Sequence, residues 1–224
     1  MIDRAEFYHG PDGVCKSLFG GRLNSGQVNT MEAILDEWER RVDLHEVGPV
    51  TQLAYILATP YRECGVAMVP VRETFATSDL QARNRLKGVW YAVTNPLTGQ
   101  SYYGRGLVQL THYSNYLKMG TLLSAELARP GDELAKVLGS APIDLTLTPD
   151  RALELPVAVW VMFEGMLRAD SHVGDFTGHA LEEYVNDDET DFVNARKVIN
   201  GLDHADEIAA NAELFDKALQ AATA

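Results

Sequence analysis

The residues from Pro156 to Leu167 restrict the fold more than any other stretch. Val157, Val159, Trp160, Val161, Met162, Phe163, Met166 and Leu167 leave almost no polar stripe at a repeat of 3.6 residues. Pro156 suits a first helical turn, where its missing N–H is no loss. A helix of this kind must be covered on nearly every side, so Trp160 and Phe163 read as core rather than as ligand platforms. The run falls well short of the roughly 20 apolar residues that span a bilayer, and no membrane insertion is expected. The chain has the material for such a core: 224 residues, 46% hydrophobic and 23% charged, enough for one domain or two lobes.

The remaining pattern is mainly helical, with few alternating runs and no internal repeat. Asn29 is placed to cap a helix whose apolar face is Met31, Ile34, Leu35 and Trp38, with Glu32 three residues after the cap. Gly48-Pro49 separates it from a second helix carrying Leu53, Ile56, Leu57 and Tyr61. Thr77-Ser78-Asp79 starts another that ends near Gly88, and Asn95-Pro96-Leu97-Thr98-Gly99 is a turn. Helix is expected from Thr111 to Leu123 and from Asp203 to Leu219, with a connector between them punctuated by Pro130-Gly131, Gly139, Pro142 and Pro149.

Chemistry concentrates in two places. Tyr102 to Tyr116 packs aromatics, amides, a hydroxyl and two glycines into fifteen positions, a mixture that suits carbohydrate. Gly104 and Gly106 let the backbone turn or approach a ligand, and Gln109, Thr111 and Asn115 are neutral donors and acceptors. The competing reading is an ordinary aromatic turn entering a helix. Upstream, the apolar run Leu53 to Gly65 delivers a single carboxylate, Glu63. It is expected at the carboxyl end of a mostly buried helix, with Gly65 as the terminator. A carboxyl held against apolar neighbours favours its neutral form, as a general acid requires. Otherwise Glu63 simply points to solvent.

Together these segments resemble glycoside hydrolase family 19, the chitinase-like family, and more particularly its phage and prophage endolysin branch. Tyr103-Gly104-Arg105-Gly106, Gln109-Leu110-Thr111 and Asn115-Tyr116 are similar to the family's aromatic-Gly-Arg-Gly, Gln-Leu-Thr/Ser and Asn-Tyr signature. Leu57-Ala58-Thr59 through Glu63 resembles the helix that carries the family's acid. Val71 to Ala76 and Phe192 to Gly201 resemble two further blocks, in the right order.

The resemblance implies a mainly α, lysozyme-like, family 19 chitinase-like helical fold. Residues 1–224 would be a single catalytic domain of two lobes with a cleft between them, and residues 73–100 a small helical lobe flanking the cleft. It also implies that Glu63 protonates the glycosidic oxygen, that Thr111 helps hold the attacking water, and that Glu73, only ten residues after Glu63, is a candidate base. Tyr103, Gln109 and Asn115 fall in the sugar-binding signature, Asn200 lines the cleft, and Arg196 balances the carboxylates. The implied substrate is the β-1,4-linked aminosugar backbone of peptidoglycan, with chitin as the closest rival. Hydrolysis would invert the anomeric centre without metal or cofactor. The pattern departs from the branch at Arg62, Cys64 and Pro60. These motivate a competing reading as a noncatalytic wall-binding or phage structural protein.

Charge sets further limits. Lys and Arg number 19 against 32 Asp and Glu, a net charge of −13, which leaves no basic surplus for nonspecific nucleic-acid binding. The same charge opposes capture by anionic cell walls, so the acidic residues should lie on faces away from a neutral, aromatic binding region. Glu182, Glu183, Asp187, Asp188, Glu189 and Asp191 read as a solvated cluster, and their spacing fits no calcium loop. Cys15 and Cys64 are expected as free buried thiols, and no Cys/His spacing suggests zinc. His112, His172, His179 and His204 are scattered and receive no chemical role. The amino terminus has no apolar core for a signal peptide. A monomer is expected, cytoplasmic on synthesis and acting on the wall or periplasm after release.

Overall fold

The computed structural model describes residues 1–167 and 176–223; His172 lies outside the described residues. The chain is mainly helical. In order, the helices are α1 (Arg4–His9), α2 (Val14–Ser17), α3 (Ser25–Asp43), α4 (Val50–Glu63), α5 (Asp79–Arg85), α6 (Tyr113–Leu127), α7 (Glu133–Leu138), α8 (Leu155–Leu167) and α9 (Ala205–Thr223). Two short strands, β1 (Val71–Arg72) and β2 (Arg105–Gly106), pair antiparallel, with Val71 opposite Gly106. The chain divides into two compact units, Met1–Met68 with Phe163–Ala224, and Val69–Met162. Residues 73–100 fall inside the second.

In the first unit α4 lies along α9, and α1 also packs on α9. Leu53, Ala54, Tyr55, Ile56, Leu57 and Ala58 are all fully buried, so α4 is covered around most of its circumference. Tyr61 in its last turn meets Phe19 and Phe215 edge-on, at 5.5 and 6.2 Å. Pro60 supplies no donor, but its carbonyl accepts from Cys64 N, and Gly65 at φ +67° ends the helix.

Helix α3 begins earlier than Asn29. Asn24 Oδ1 accepts from Gln27 N at 3.0 Å while Gln27 Oε1 accepts from Asn24 N at 2.8 Å, a reciprocal capping box. Its buried face starts with the polar Gln27 and Thr30 before reaching Met31. At the far end of that face, buried Arg41 donates to Glu37 at 2.7 Å and lies over the Phe163 ring. Helix α9 starts two residues after Asp203 and runs past Leu219, burying Ile208, Ala212, Phe215 and Leu219.

In the second unit Ala82 and Leu86 at the end of α5 form a small core with Ala76, Ala92 and Tyr103. Helix α6 buries Tyr116, Met119, Leu123 and Leu127. The chain passes from β2 at Gly106, where φ is +85° and a Cβ would stand 2.7 Å from the Ala152 carbonyl oxygen. Only glycine fits there. Helix α8, whose residues divide between the two units after Met162, is buried from Val157 to Met166, and Trp160 and Phe163 are core residues.

Candidate functional site

In the first unit the structure joins two distant sequence blocks. Glu63, the last residue of α4, accepts from Arg196 Nη1 on its Oε1 at 2.7 Å. Arg196 comes from the short helical turn Asn194–Val198 and is itself held by Nε donating to the Asp203 carbonyl at 3.1 Å. The Glu63 side chain is 18% exposed and that of Arg196 5%, so the ion pair opens to solvent at the carboxylate end. Glu63 is therefore neither sealed among apolar groups nor displayed on the surface. Its partner is a guanidinium, which the expectation of apolar burial did not include. Glu63 Oε2 has no hydrogen bond among the described residues. Arg62 turns elsewhere, its Nε 3.2 Å from Glu207 Oε2. Asn200 is exposed, and its Oδ1 accepts from Gly201 N at 2.8 Å.

In the second unit Glu73 directly follows β1 and is held by both carboxylate oxygens. Tyr91 OH donates to Oε1 at 2.7 Å and Gly104 N donates to Oε2 at 2.8 Å. Glu73 N in turn donates to the Gly104 carbonyl at 2.7 Å. Two hydrogen bonds thus fix a partly exposed carboxylate, and a third ties its backbone to the glycine segment. Burial, followed by the hydrogen bond to Glu73, pushes the Tyr91 phenol up to about 12, so it stays a donor at neutral pH.

The amide and hydroxyl groups expected around a sugar divide into two sets. Gln109 Nε2 donates to the Val71 and Gly106 carbonyls, both at 3.2 Å, and clamps the β1/β2 pair. Its Oε1 lies where a Cβ on Gly104 would come within 2.7 Å, so the glycine admits Gln109 rather than a ligand. Thr111 Oγ1 donates to the Gln109 carbonyl at 2.7 Å, which leaves its lone pairs as acceptors. Asn115, in the first turn of α6, is half-buried and its side chain has no hydrogen bond among the described residues.

Tyr103 does not face a ligand. It is fully buried, its hydroxyl donates to Asp79 Oδ1 at 2.8 Å, and the Arg105 guanidinium stacks on its ring at 3.7 Å. The aromatic-Gly-Arg-Gly block is therefore an ionic core. Arg105 Nε donates to Asp150 Oδ1 at 2.8 Å, and Arg72 Nη2 approaches Asp150 Oδ2 at 2.7 Å. Burial alone would raise the Asp150 carboxyl, but the hydrogen bonds from Arg72 and Arg105 outweigh it and hold it below the usual carboxylate range.

Backbone strain gathers around these groups. Thr74, Phe75, Gln109 and His112 all have φ between +53° and +74°, and they flank Glu73 and Thr111. Tyr91, Asp79 and Asp150 carry no motif, so sequence reading missed them. The one available signal was the Trp90-Tyr91 aromatic pair in an otherwise plain turn. Acidic residues are unevenly spread: Val69–Met162 holds nine Lys and Arg and eight Asp and Glu, whereas the first unit holds ten against 24. Cys15 and Cys64 are free and buried. Comparison with protein-family models, curated proteins and solved structures finds no match to this chain.

Proposed function

We propose that this chain is a glycosidase of the family 19 type, with that family's lysozyme-like helical fold, that hydrolyses β-1,4 bonds between N-acetylated aminosugars of peptidoglycan, as an endolysin does. One observation carries the reading. Glu63 and Arg196 lie 133 residues apart in two blocks that the sequence resemblance assigned to one site, and their side chains meet at 2.7 Å.

In its neutral form, protonated on Oε2, Glu63 delivers that proton to the departing glycosidic oxygen, while Arg196 donates to Oε1 and fixes the direction of the carboxyl. Glu73, held by Tyr91 and Gly104, accepts a proton from water as the water oxygen bonds to the anomeric carbon. The lone pairs of Thr111 help orient that water. One C–O bond forms, one breaks, and the proton taken by Glu73 balances the one given by Glu63. The family 19 resemblance carries inversion of the anomeric centre to this chain. Proton NMR of fresh product should show the α-anomer first; β-anomer first would overturn the inverting assignment.

A further inference from the structure

Trp90 is the one tryptophan of three that faces solvent, at 75% exposure, against 3% for Trp38 and 2% for Trp160. It is nonetheless held firmly. His112 stacks on one face at 5.1 Å and 22°, and Tyr91 meets Trp90 and His112 edge-on at 5.7 and 5.5 Å. Tyr91 is anchored in turn by its hydroxyl on Glu73. The second face of the indole is therefore open, rigid and next to a fixed carboxylate. A ring immobilised before binding loses little freedom when a sugar stacks on it.

The sequence segment that carries this ring differs in charge from the rest of the chain. No Asp or Glu occurs between Asp79 and Glu126, although the protein has 32 of them. Arg85 and Lys87, both exposed, lie in the end of α5 and the turn that leads to Trp90. Arg85 Nη1 donates to the Thr74 carbonyl at 2.7 Å, one residue from Glu73. An open aromatic face with Arg85 and Lys87 within five residues of it in the chain, and with the nearby Glu73 carboxylate already occupied by Tyr91 and Gly104, suits a ligand that is both a sugar and an acid.

We propose that Trp90, with Arg85 and Lys87, is a binding platform for aminosugar units that carry carboxylates, the peptide-substituted units of peptidoglycan, in preference to neutral aminosugar polymers. This specificity rests on the glycosidase reading above, but the binding does not. Because Trp38 and Trp160 are buried, solvent-sensitive tryptophan emission reports on Trp90. The full chain carrying Glu63→Gln would be titrated with a disaccharide-tetrapeptide and with a neutral chitin tetramer, at low and at high salt.

The peptide-bearing ligand should quench the emission and bind about ten-fold more tightly than the chitin tetramer, the worth of one charge-assisted contact. That preference should vanish at high salt and in an Arg85→Gln, Lys87→Gln double variant that still quenches with the neutral ligand. Trp90→Ala should weaken both by calorimetry. Equal affinities, or tighter binding of the chitin tetramer, overturn the carboxylate preference. Emission unmoved by either ligand, in a protein whose native sequence hydrolyses peptidoglycan, overturns the platform and leaves the glycosidase standing. Binding without any hydrolysis by the native sequence supports the platform and overturns the glycosidase.

Discussion

Replacing Arg105 with methionine should cost the second unit about 3–6 kcal/mol, close to the cost of removing one partner of a buried ionic group. The structure divides this cost. The Arg105 side chain is fully buried, whereas its partners Asp79 and Asp150 are 34% and 47% exposed and can recover water. Their share is therefore discounted to about 1 kcal/mol. Tyr116 OH keeps the Tyr103 carbonyl as acceptor at 2.9 Å, so neither of those groups is orphaned. The fully buried Ser101 residue loses the guanidinium donor to its carbonyl, at 2.9 Å, which costs about 1–3 kcal/mol. Loss of the cation stacked at 3.7 Å on Tyr103 adds about 1–2 kcal/mol.

Urea unfolding followed by tryptophan emission suits the test, since Trp90 and Trp160 both belong to this unit. Against a typical total of about 5–15 kcal/mol, the methionine variant should unfold at a much lower midpoint. The lysine variant, with one donor head for five contacts, should fall between it and the native protein. A methionine variant within about 1 kcal/mol of native would refute the view that this arginine holds the segment together.

Two other outcomes follow from the same contacts. Tyr91→Phe removes the donor to Glu73 Oε1 and, with Glu73 as the proposed base, should lower kcat about ten-fold; an unchanged kcat would count against that role. Asp150 has a folded-state pKa below its ordinary value, so its stabilisation is present above pH about 4 and is lost as pH falls through the folded value. Asp150→Asn should therefore flatten the acid end of the stability curve while lowering stability at neutral pH, as acid titration of the unfolding midpoint would reveal.

What the sequence disclosed, and what it hid, has physical reasons. Helix α8 was legible because an apolar residue at almost every position leaves no other arrangement, and α4 because Gly65 gives it a stop. The start of α3 was misplaced because Gln27 and Thr30 are polar residues on a buried face, so hydrophobic periodicity begins only at Met31. Strands β1 and β2 are two residues each, too short for alternation to register. Glu63 and Arg196 were paired through family resemblance rather than spacing, since nothing local links blocks 133 residues apart. Tyr103 and Gln109 belong to a block with the composition of a sugar site, yet they spend their polar groups on Asp79 and on the β1/β2 pair. Residue type alone does not tell a hydroxyl that meets a ligand from one that meets the core.

If Glu63 is the proton donor of a peptidoglycan glycosidase, as proposed, reducing-end release from purified peptidoglycan depends on its carboxyl. The native protein should generate new reducing ends, and Glu63→Gln, matched in helical content and unfolding midpoint, should do so about 10²–10⁴-fold more slowly. Equal rates for the two proteins, or no release by the native one, would rule out Glu63 as that donor.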